Sequence, residues 1–291
     1  MLDNRLVAVV TGANKGIGKA IVRLLLSQTD KPMIVYLTAR NMERGQMAFD
    51  EVRRELSRIQ PHSENEVRFH QLDVSDLDSI HTFIDYLTLI HGTQSVDILV
   101  NNAGGVVHAQ NGKCVSRKCD METAHKIVHM NYYTAVNTTS LVLPHLRSGA
   151  RVIFMVSALA HLGIFSGELP KVLVSDDLSL NGLHIIENGF ISSVGKGTFA
   201  EYGFPPMPFA VAKAGLIAYS RMLARIFAND PRSLFFAAVC PGYCQTDMTG
   251  PYAPLQASQG AETPVYLATA DAKRIQKHNG CLWKSMKQIK W

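Results

Sequence analysis

The sequence predicts an α/β protein: one doubly wound domain with a seven-stranded parallel sheet, helices on both faces and a long insertion after the fifth strand. Three observations predict it. Short apolar runs rich in β-branched residues alternate with segments of helical period. The first strand runs directly into a glycine-rich turn and a helix. The 291 residues suit one large α/β domain spanning 1–291. In order, Leu6–Thr11 is the first strand, and Lys19–Ser27 places Ala20, Ile21, Leu24 and Leu25 at helical spacing. Met33–Thr38 reads as the second strand, and Glu43–Ile59 as an amphipathic helix carrying Met47, Val52, Leu56 and Ile59. Val67–Leu72 is the third strand, and Asp76–His91 a helix with Ser75 or Asp76 as N-cap. Val96–Val100 is the fourth strand, Cys119–Leu146 is helical and Arg151–Val156 is the fifth strand. Phe209–Phe227 is helical, Leu234–Cys240 the sixth strand and Cys281–Lys284 the seventh. Strands separated by helices imply right-handed crossovers and a parallel sheet. Ala158–Pro208 is rich in glycine, carries Pro205-Pro206 and shows little periodicity. It reads as an insertion within the one domain, and long irregular segments of this kind are often functional.

Composition narrows the function classes. At 47% hydrophobic, 18% charged and a formal net charge of +5, the chain is neither disordered nor strongly basic. That charge suits an anionic small molecule better than nucleic acid, which calls for a basic stripe. No apolar run is long enough to span a membrane, and the opening residues enter a strand at once, leaving no room for a signal peptide. Five cysteines, an odd number, favour reduced thiols and a cytoplasmic location.

The turn reads Thr11-Gly12-Ala13-Asn14-Lys15-Gly16-Ile17-Gly18 between strand and helix. Such a turn brings backbone N–H groups and a helix N-terminus against a pyrophosphate. The spacing is Gly-x-x-x-Gly-x-Gly. It is not a magnesium-holding P-loop, because Ala20 stands where Ser or Thr would be. An acid at the end of the second strand would bond an NAD ribose, whereas arginine there accommodates a 2′-phosphate. This chain has Arg40, with Arg44 one helical turn on and Lys15 in the turn itself. Three cations converging on a phosphate, with no acid competing, point to NADP.

With these residues the chain resembles the short-chain dehydrogenase/reductase family. The turn Thr11–Gly18 is similar to the family's cofactor fingerprint. Asp73-Val74 resembles its adenine-contacting pair, and Asn101-Asn102-Ala103-Gly104 its sheet-stabilising motif near the cofactor. Asn131 and Ser157 sit where the family keeps its catalytic Asn and Ser, and Lys213 where it keeps its catalytic Lys. Pro241-Gly242-Tyr243-Cys244-Gln245-Thr246-Asp247-Met248 looks like the loop that covers the nicotinamide, which adds Pro241, Gly242, Thr246 and Met248 to the cofactor set. Finer features, including Asn14–Gly18, Arg40 with Arg44, and Gly260–Leu267, resemble the monomeric NADPH-dependent carbonyl reductases. The long insertion fits them too; in that subgroup it covers the helix face other members use to oligomerise.

The resemblance therefore implies NADPH-dependent reduction of aldehydes, ketones or quinones by a monomer. Ser holds the carbonyl oxygen, Asn anchors a water chain, and Lys lowers the pKa of a Tyr that is otherwise near ~10. The Tyr belongs four residues before the Lys, and Phe209 stands there. The phenol oxygen is missing and the ring is kept. The change is either natural or introduced, and either way the chain is expected to be impaired. Tyr202, Tyr243 or water are the conceivable substitute donors. The alternative reading is a catalytically silent NADP(H)-binding sensor or partner protein.

Other residues carry blander readings. His125 and His129 share a helix face, but Lys126 stands where a zincin has Glu, so no metal is expected. Neither Cys240 with Cys244 nor Cys114 with Cys119 has zinc spacing. Cys240 and Cys244 read as buried strand thiols or as modifiable groups near the site. Phe165, Phe190, Phe199, Tyr202, Phe204 and Met207 line a substrate wall or pack the insertion.

Overall fold

The computed structural model describes residues 4–28, 31–59, 64–107 and 120–291. The Cys114–Cys119 pair lies outside these residues. The strands are β1 (Leu6–Val10), β2 (Met33–Ala39), β3 (Glu66–Gln71), β4 (Val96–Asn101), β5 (Leu146–Met155), β6 (Phe235–Val239), β7 (Leu282–Lys284) and β8 (Lys287–Ile289). They form one sheet in the order β3-β2-β1-β4-β5-β6-β7-β8. Every pairing is parallel except β7 with β8. The expected seven-stranded parallel sheet is thus corrected to eight strands with an antiparallel edge. The last strand escapes a sequence reading because Lys287–Ile289 is three residues long and has exposed lysine and glutamine.

Strand order reverses between β1 and β4, which opens a crevice at the strands' C-terminal ends. Side chains alternate across the sheet with period two. Val7 and Val9 of β1 join one buried cluster, while Ala8 and Val10 join the other. Val152 and Phe154 of β5 likewise face away from Ile153 and Met155. Helices α1 (Gly16–Ser27), α2 (Met42–Ile59) and, later in the chain, Ala257–Thr269 cover the second face. Helices α3 (Leu77–His91), α4 (Met121–Val128), α5 (Thr134–Val142) and, beyond the insertion, Pro208–Ile226 cover the first. Asp76 is the N-cap of α3, its side chain accepting the Asp78 N–H at 3.0 Å.

The helical stretch after β4 is not continuous. α4 and α5 are joined by a π-helical turn, His129–Tyr133, which no periodicity reports. β5 starts at Leu146, five residues before the expected Arg151, next to a register shift between Val96 and Ile98.

The insertion is more ordered than its sequence suggests. It holds α6 (Leu169–Leu173) and the seventeen-residue α7 (Leu180–Lys196) among 3-10 turns. The inner face of α7 is Leu183, Glu187, Phe190 and Ile191, a helical spacing broken by one acid. Gly189 on its outer face, and Gly195 where a methyl group would lie 2.8 Å from Met121 Sδ of α4, blur the pattern further. Helix α8 (Pro208–Ile226) follows, then α9 (Ala257–Thr269) and α10 (Ala272–Ile275). Because Gly260 and an internal Pro264 weaken its helical signal, α9 had no sequence-level prediction.

The C-terminal carbonyls of α9 are satisfied from the sheet. Arg151 of β5 donates to Leu267 O at 2.7 Å and to Ala270 O at 2.5 Å. Replacing it, Arg151→Leu, leaves these carbonyls unpaired. The expected loss is about 1–3 kcal/mol, read as a lower urea midpoint at unchanged m-value, and Arg151→Lys recovers only part of it because one ammonium cannot span both carbonyls.

Candidate active site

The glycine turn is shaped by steric demands that the crevice makes. Gly12 has φ +61°, and a methyl group there would lie 2.9 Å from the Ala103 Cα. At Gly18 a methyl group would stand 2.4 Å from Asn102 Nδ2. Both contacts come from the segment after β4, so glycine is required for β1 and β4 to close on one another. The clamp is made of hydrogen bonds. Asn102 Nδ2 donates to Thr11 O at 2.9 Å and to Gly12 O at 3.1 Å. Thr11 Oγ1 accepts the N–H groups of Asn102 and Ala103 at 3.0 and 2.9 Å. Ala13 N–H donates to Thr38 O at 2.8 Å, which ties the same turn to β2. Asn14, Gly16 and Ile17 complete the entry to α1, with Lys15 as its N-cap in extended backbone.

The end of β2 is a cationic shelf. Arg40 and Arg44 are exposed, and Asn41 Oδ1 accepts the Arg44 N–H at 2.8 Å. Lys15 does not stand free beside them: its Nζ lies 2.6 Å from Asp247 Oδ2. The Lys15 bond, together with the charge of Arg44, holds the Asp247 carboxyl below the usual range. This corrects the expectation that no acid competes for these cations. The acid arrives from the loop after β6, more than two hundred residues away in sequence, so no local pattern reveals it.

Asp73 Oδ1 accepts from Ser75 N–H at 2.9 Å and from its hydroxyl at 2.6 Å, which orders the loop after β3. Val74 packs against the first core cluster. In the loop after β6, Gly242 has φ +84° and Cys244 is buried. The Cys244 thiol donates to Pro241 O at 3.3 Å, and burial pushes its pKa up. Cys240 is buried as well, so both are buried thiols, placed just beyond β6 and not within the strand. Thr246 packs beside Gly16, 3.4 Å from where a methyl group would project, while Met248 is exposed.

Across the crevice, two elements bring polar side chains together, with the end of β5 beside them. Asn131 is buried in the π turn, where its side chain pairs with the Gly105 backbone: Oδ1 accepts the N–H at 3.0 Å and Nδ2 donates to the carbonyl at 2.7 Å. Nδ2 also donates to Ile127 O at 2.9 Å. That last bond spans four residues in the turn where the helical ladder is loosened, so the π geometry itself aims Asn131 at the loop after β4. Lys213 reaches the same place from α8. A methyl group on Gly104 would lie 2.7 Å from Asn131 Oδ1 and 3.3 Å from Lys213 Nζ. Lys213 is buried, its Nζ donates to Met155 O at 2.9 Å, and burial lowers the ammonium to a pKa of about 8. Ser157, two residues beyond that carbonyl, caps a 3-10 turn, its Oγ accepting Leu159 N–H at 3.2 Å. The Phe209 ring lies with its centroid 5.6 Å from Lys213 Nζ, a cation–π contact.

Tyr202 and Tyr243 are exposed, and the Tyr243 hydroxyl turns to Thr249 O at 3.5 Å. Neither has a hydrogen bond to Asn131, Ser157 or Lys213 among the described residues. Phe165, Phe190 and Phe204 belong to the core, with Phe190 and Phe204 edge-to-face at 5.3 Å, so these three pack the helices, whereas Phe199 is only partly buried and Tyr202 is exposed. His125 and His129 stack on each other at 6.0 Å. Missing from the sequence-based set are Thr11, the hub of the clamp, and Asp247 as the partner of Lys15. Thr11 had a visible signal as the residue that ends β1; Asp247 had none.

A glycine turn clamped between β1 and β4, a cationic shelf after β2 and a buried lysine facing an asparagine define a dinucleotide-binding α/β protein with the architecture of a reductase. The chain belongs to the short-chain dehydrogenase family, whose model matches residues 6–168. It is 34% identical to carbonyl reductase (NADPH) 1 of Mus musculus over 278 residues, covering 92% of each chain. Among solved structures, menthone neomenthol reductase from Mentha piperita matches at 26% identity with a TM-score of 0.78, covering 97% of this chain and 99% of that one. Salutaridine reductase from Papaver somniferum matches at 25% identity, also with a TM-score of 0.78, covering 92% and 96%.

The clamp is testable apart from any ligand. Asn102→Ala removes both bonds to the turn and leaves two carbonyls short of a donor, so stability is expected to fall by about 1–3 kcal/mol. Urea unfolding checks this, and Asn102→Asp should not rescue it, because a carboxylate cannot donate to carbonyls.

Proposed function

We propose that this chain reduces aldehydes, ketones or quinones with NADPH at a site made by Asn131, Ser157, Lys213 and the loops around the glycine turn, and that Phe209 leaves it slow. The convergence of Asn131 and Lys213 on Gly104, beside the clamped turn, carries this reading. Relatives named carbonyl reductase (NADPH) at about one-third identity support it.

The residues present fit the cofactor. The turn offers backbone N–H groups at the start of α1, and Arg40 and Arg44 meet a 2′-phosphate with no acid ending β2. Bound there, NADPH supplies the hydride. Gly12, Asn14, Lys15, Gly16, Ile17 and Gly18 line the phosphate side. Asp73 and Val74 flank the adenine side. Asn102, Ala103 and Gly104 form the floor, while Pro241, Gly242, Thr246 and Met248 form the cover. The Lys15–Asp247 pair latches that cover to the turn.

Ser157 Oγ holds the carbonyl oxygen, and Lys213 Nζ holds positive charge in a buried place where it acts strongly. Asn131, with its carboxamide engaged by Gly105, keeps the π turn open toward Lys213. The proton is the weak point. A phenol at 209 would be acidified by Lys213 and deliver it; the Phe209 ring has no proton to give, so the acid is water or the ammonium itself. The second reading, an NADP(H)-binding protein without turnover, rests on the same Phe209. We further propose a monomer, since α7 packs on α4 and α8 and covers the face they would otherwise offer. A reducing, cytoplasmic setting is supported by the free thiols of Cys240, Cys244 and Cys281. Among the described residues no helix is long and apolar enough to cross a membrane.

NADPH oxidation with a simple quinone, for this chain beside Phe209→Tyr, tests the reading, with cofactor binding followed by fluorescence in both. Restoring a positioned acid is expected to raise kcat by ~10²–10⁴. If both bind NADPH and neither turns over, the non-catalytic reading replaces this one. In the Tyr variant kcat should fall as pH rises through about 8, because the folded ammonium has been lowered to that value and loses its charge there. Arg40→Ala and Arg44→Ala should each cut NADPH affinity by about 1.5–3 kcal/mol, the worth of a hydrogen bond to a charged group, with NADH affinity unchanged. Paired fluorescence titrations would show it.

A further inference from the structure

Helix α7 carries an anomaly. Glu187 is 0% exposed, on the face shared with Leu183, Phe190 and Ile191. Neither of its carboxyl oxygens has a hydrogen-bond partner among the described residues. The carboxyl presses on α8, where a methyl group at Gly215 would stand 2.2 Å from Oε1 and 2.9 Å from the Tyr132 ring. Three elements therefore meet at one carboxyl: α7, α8 and the π turn His129–Tyr133. A glycine inside α8 costs helix stability relative to alanine, and here its missing side chain makes the space that Glu187 and Tyr132 fill.

The residues touched are neighbours of the site. Tyr132 follows Asn131, and Gly215 lies two residues beyond Lys213, on a different face of α8. Asn131 and Lys213 meet at Gly104 only if the π turn and α8 keep their spacing. We propose that Glu187 is a positioning residue held as a neutral acid: it seats α7 against α8 and the π turn, fixes Asn131 relative to Lys213, and unseats α7 when it loses its proton. The half concerning Asn131 and Lys213 rests on the functional reading above; the seating of α7 does not.

Among the described residues no cation pairs with this carboxyl. Tyr132 and Tyr133 face it from the π turn, with the His129 ring 5.9 Å behind Tyr133. Tyr219 comes from α8. His184, on α7 itself, lies 5.9 Å from Tyr132 and 5.3 Å from Tyr133. Burial raises the three tyrosines and lowers both histidines, so all five are neutral at the pH where Glu187 loses its proton. Lys213, the nearest cation of α8 in sequence, is turned to Met155 O. A partnerless buried carboxylate is strongly disfavoured, and burial raises the Glu187 carboxyl to about 8. An unfolded glutamate titrates near ~4.3. The neutral acid's stabilising seat is therefore complete below that value and is lost as pH rises through about 8.

The test is hydrogen exchange of the Leu180–Lys196 amides in the intact chain, between pH 6.5 and 9, corrected for intrinsic exchange. Protection should fall by about tenfold per pH unit up to about pH 8 and level off above it in the chain as it is, and stay flat in Glu187→Gln. Should Glu187→Gln not fold, Glu187→Met, which suits the apolar surroundings, carries the same comparison. An equal fall in the variants, or none in the parent, overturns the proposal. A second arm separates it from the reductase reading. In the Phe209→Tyr background, the alkaline fall of kcat should involve two protons with Glu187 and one, that of Lys213, with Glu187→Met. Identical limbs overturn the link to Asn131 and Lys213. Absence of turnover in both defeats the reductase reading and with it that link, while hydrogen exchange still decides whether Glu187 seats α7.

Discussion

Helix α8 is buried on nearly every side, and the rest of the structure is arranged around that constraint. A helix packed all round must be narrow, and Ala210, Ala212, Ala214, Gly215 and Ala218 make it so. One face lies on β5 and β6, another against the π turn, and a third beneath α7. Such a helix has little room for a charge, yet it carries Lys213. The Met155 carbonyl at the end of β5 gives the ammonium a partner, and the remaining desolvation lowers its pKa. Helix packing thus determines the electrostatics of the site: a charge that would be ordinary on a surface becomes strong and titratable near neutrality.

The other half of the site follows from steric exclusion. Gly12 and Gly18 leave room for Ala103 and Asn102, and Thr11 with Asn102 converts that close approach into hydrogen bonds. β1 and β4 are adjacent because the strand order reverses there, so the turn and its clamp mark the crevice. The loop after β6 closes over it, held by the exposed Lys15–Asp247 pair. An exposed ion pair is worth little, about 0–1 kcal/mol.

Phe209 stands in a well-ordered neighbourhood. Its ring sits beside Lys213, the lysine keeps its carbonyl, and Asn131 keeps its turn. On the proposed reading, positioning is present at this site and proton supply is diminished.

Local sequence determined a great deal here, because the interactions concerned are local. Apolar periodicity located β1, β2, β4, β6 and α8 to within a residue or two, and the glycine spacing located the turn between β1 and α1. What it left open was decided by contacts between residues far apart in the chain. β8 has no apolar signal and exists because β7 offers it an edge. α7 was hidden because one of its core positions is an acid, tolerated only where Gly215 and Tyr132 shape a place for it. The π turn is a backbone adjustment that leaves no mark on periodicity. The pairing of Lys15 with Asp247 joins residues that no spacing rule connects. In each case the deciding energy is burial or a hydrogen bond that comes into being only once the sheet and its helices have packed.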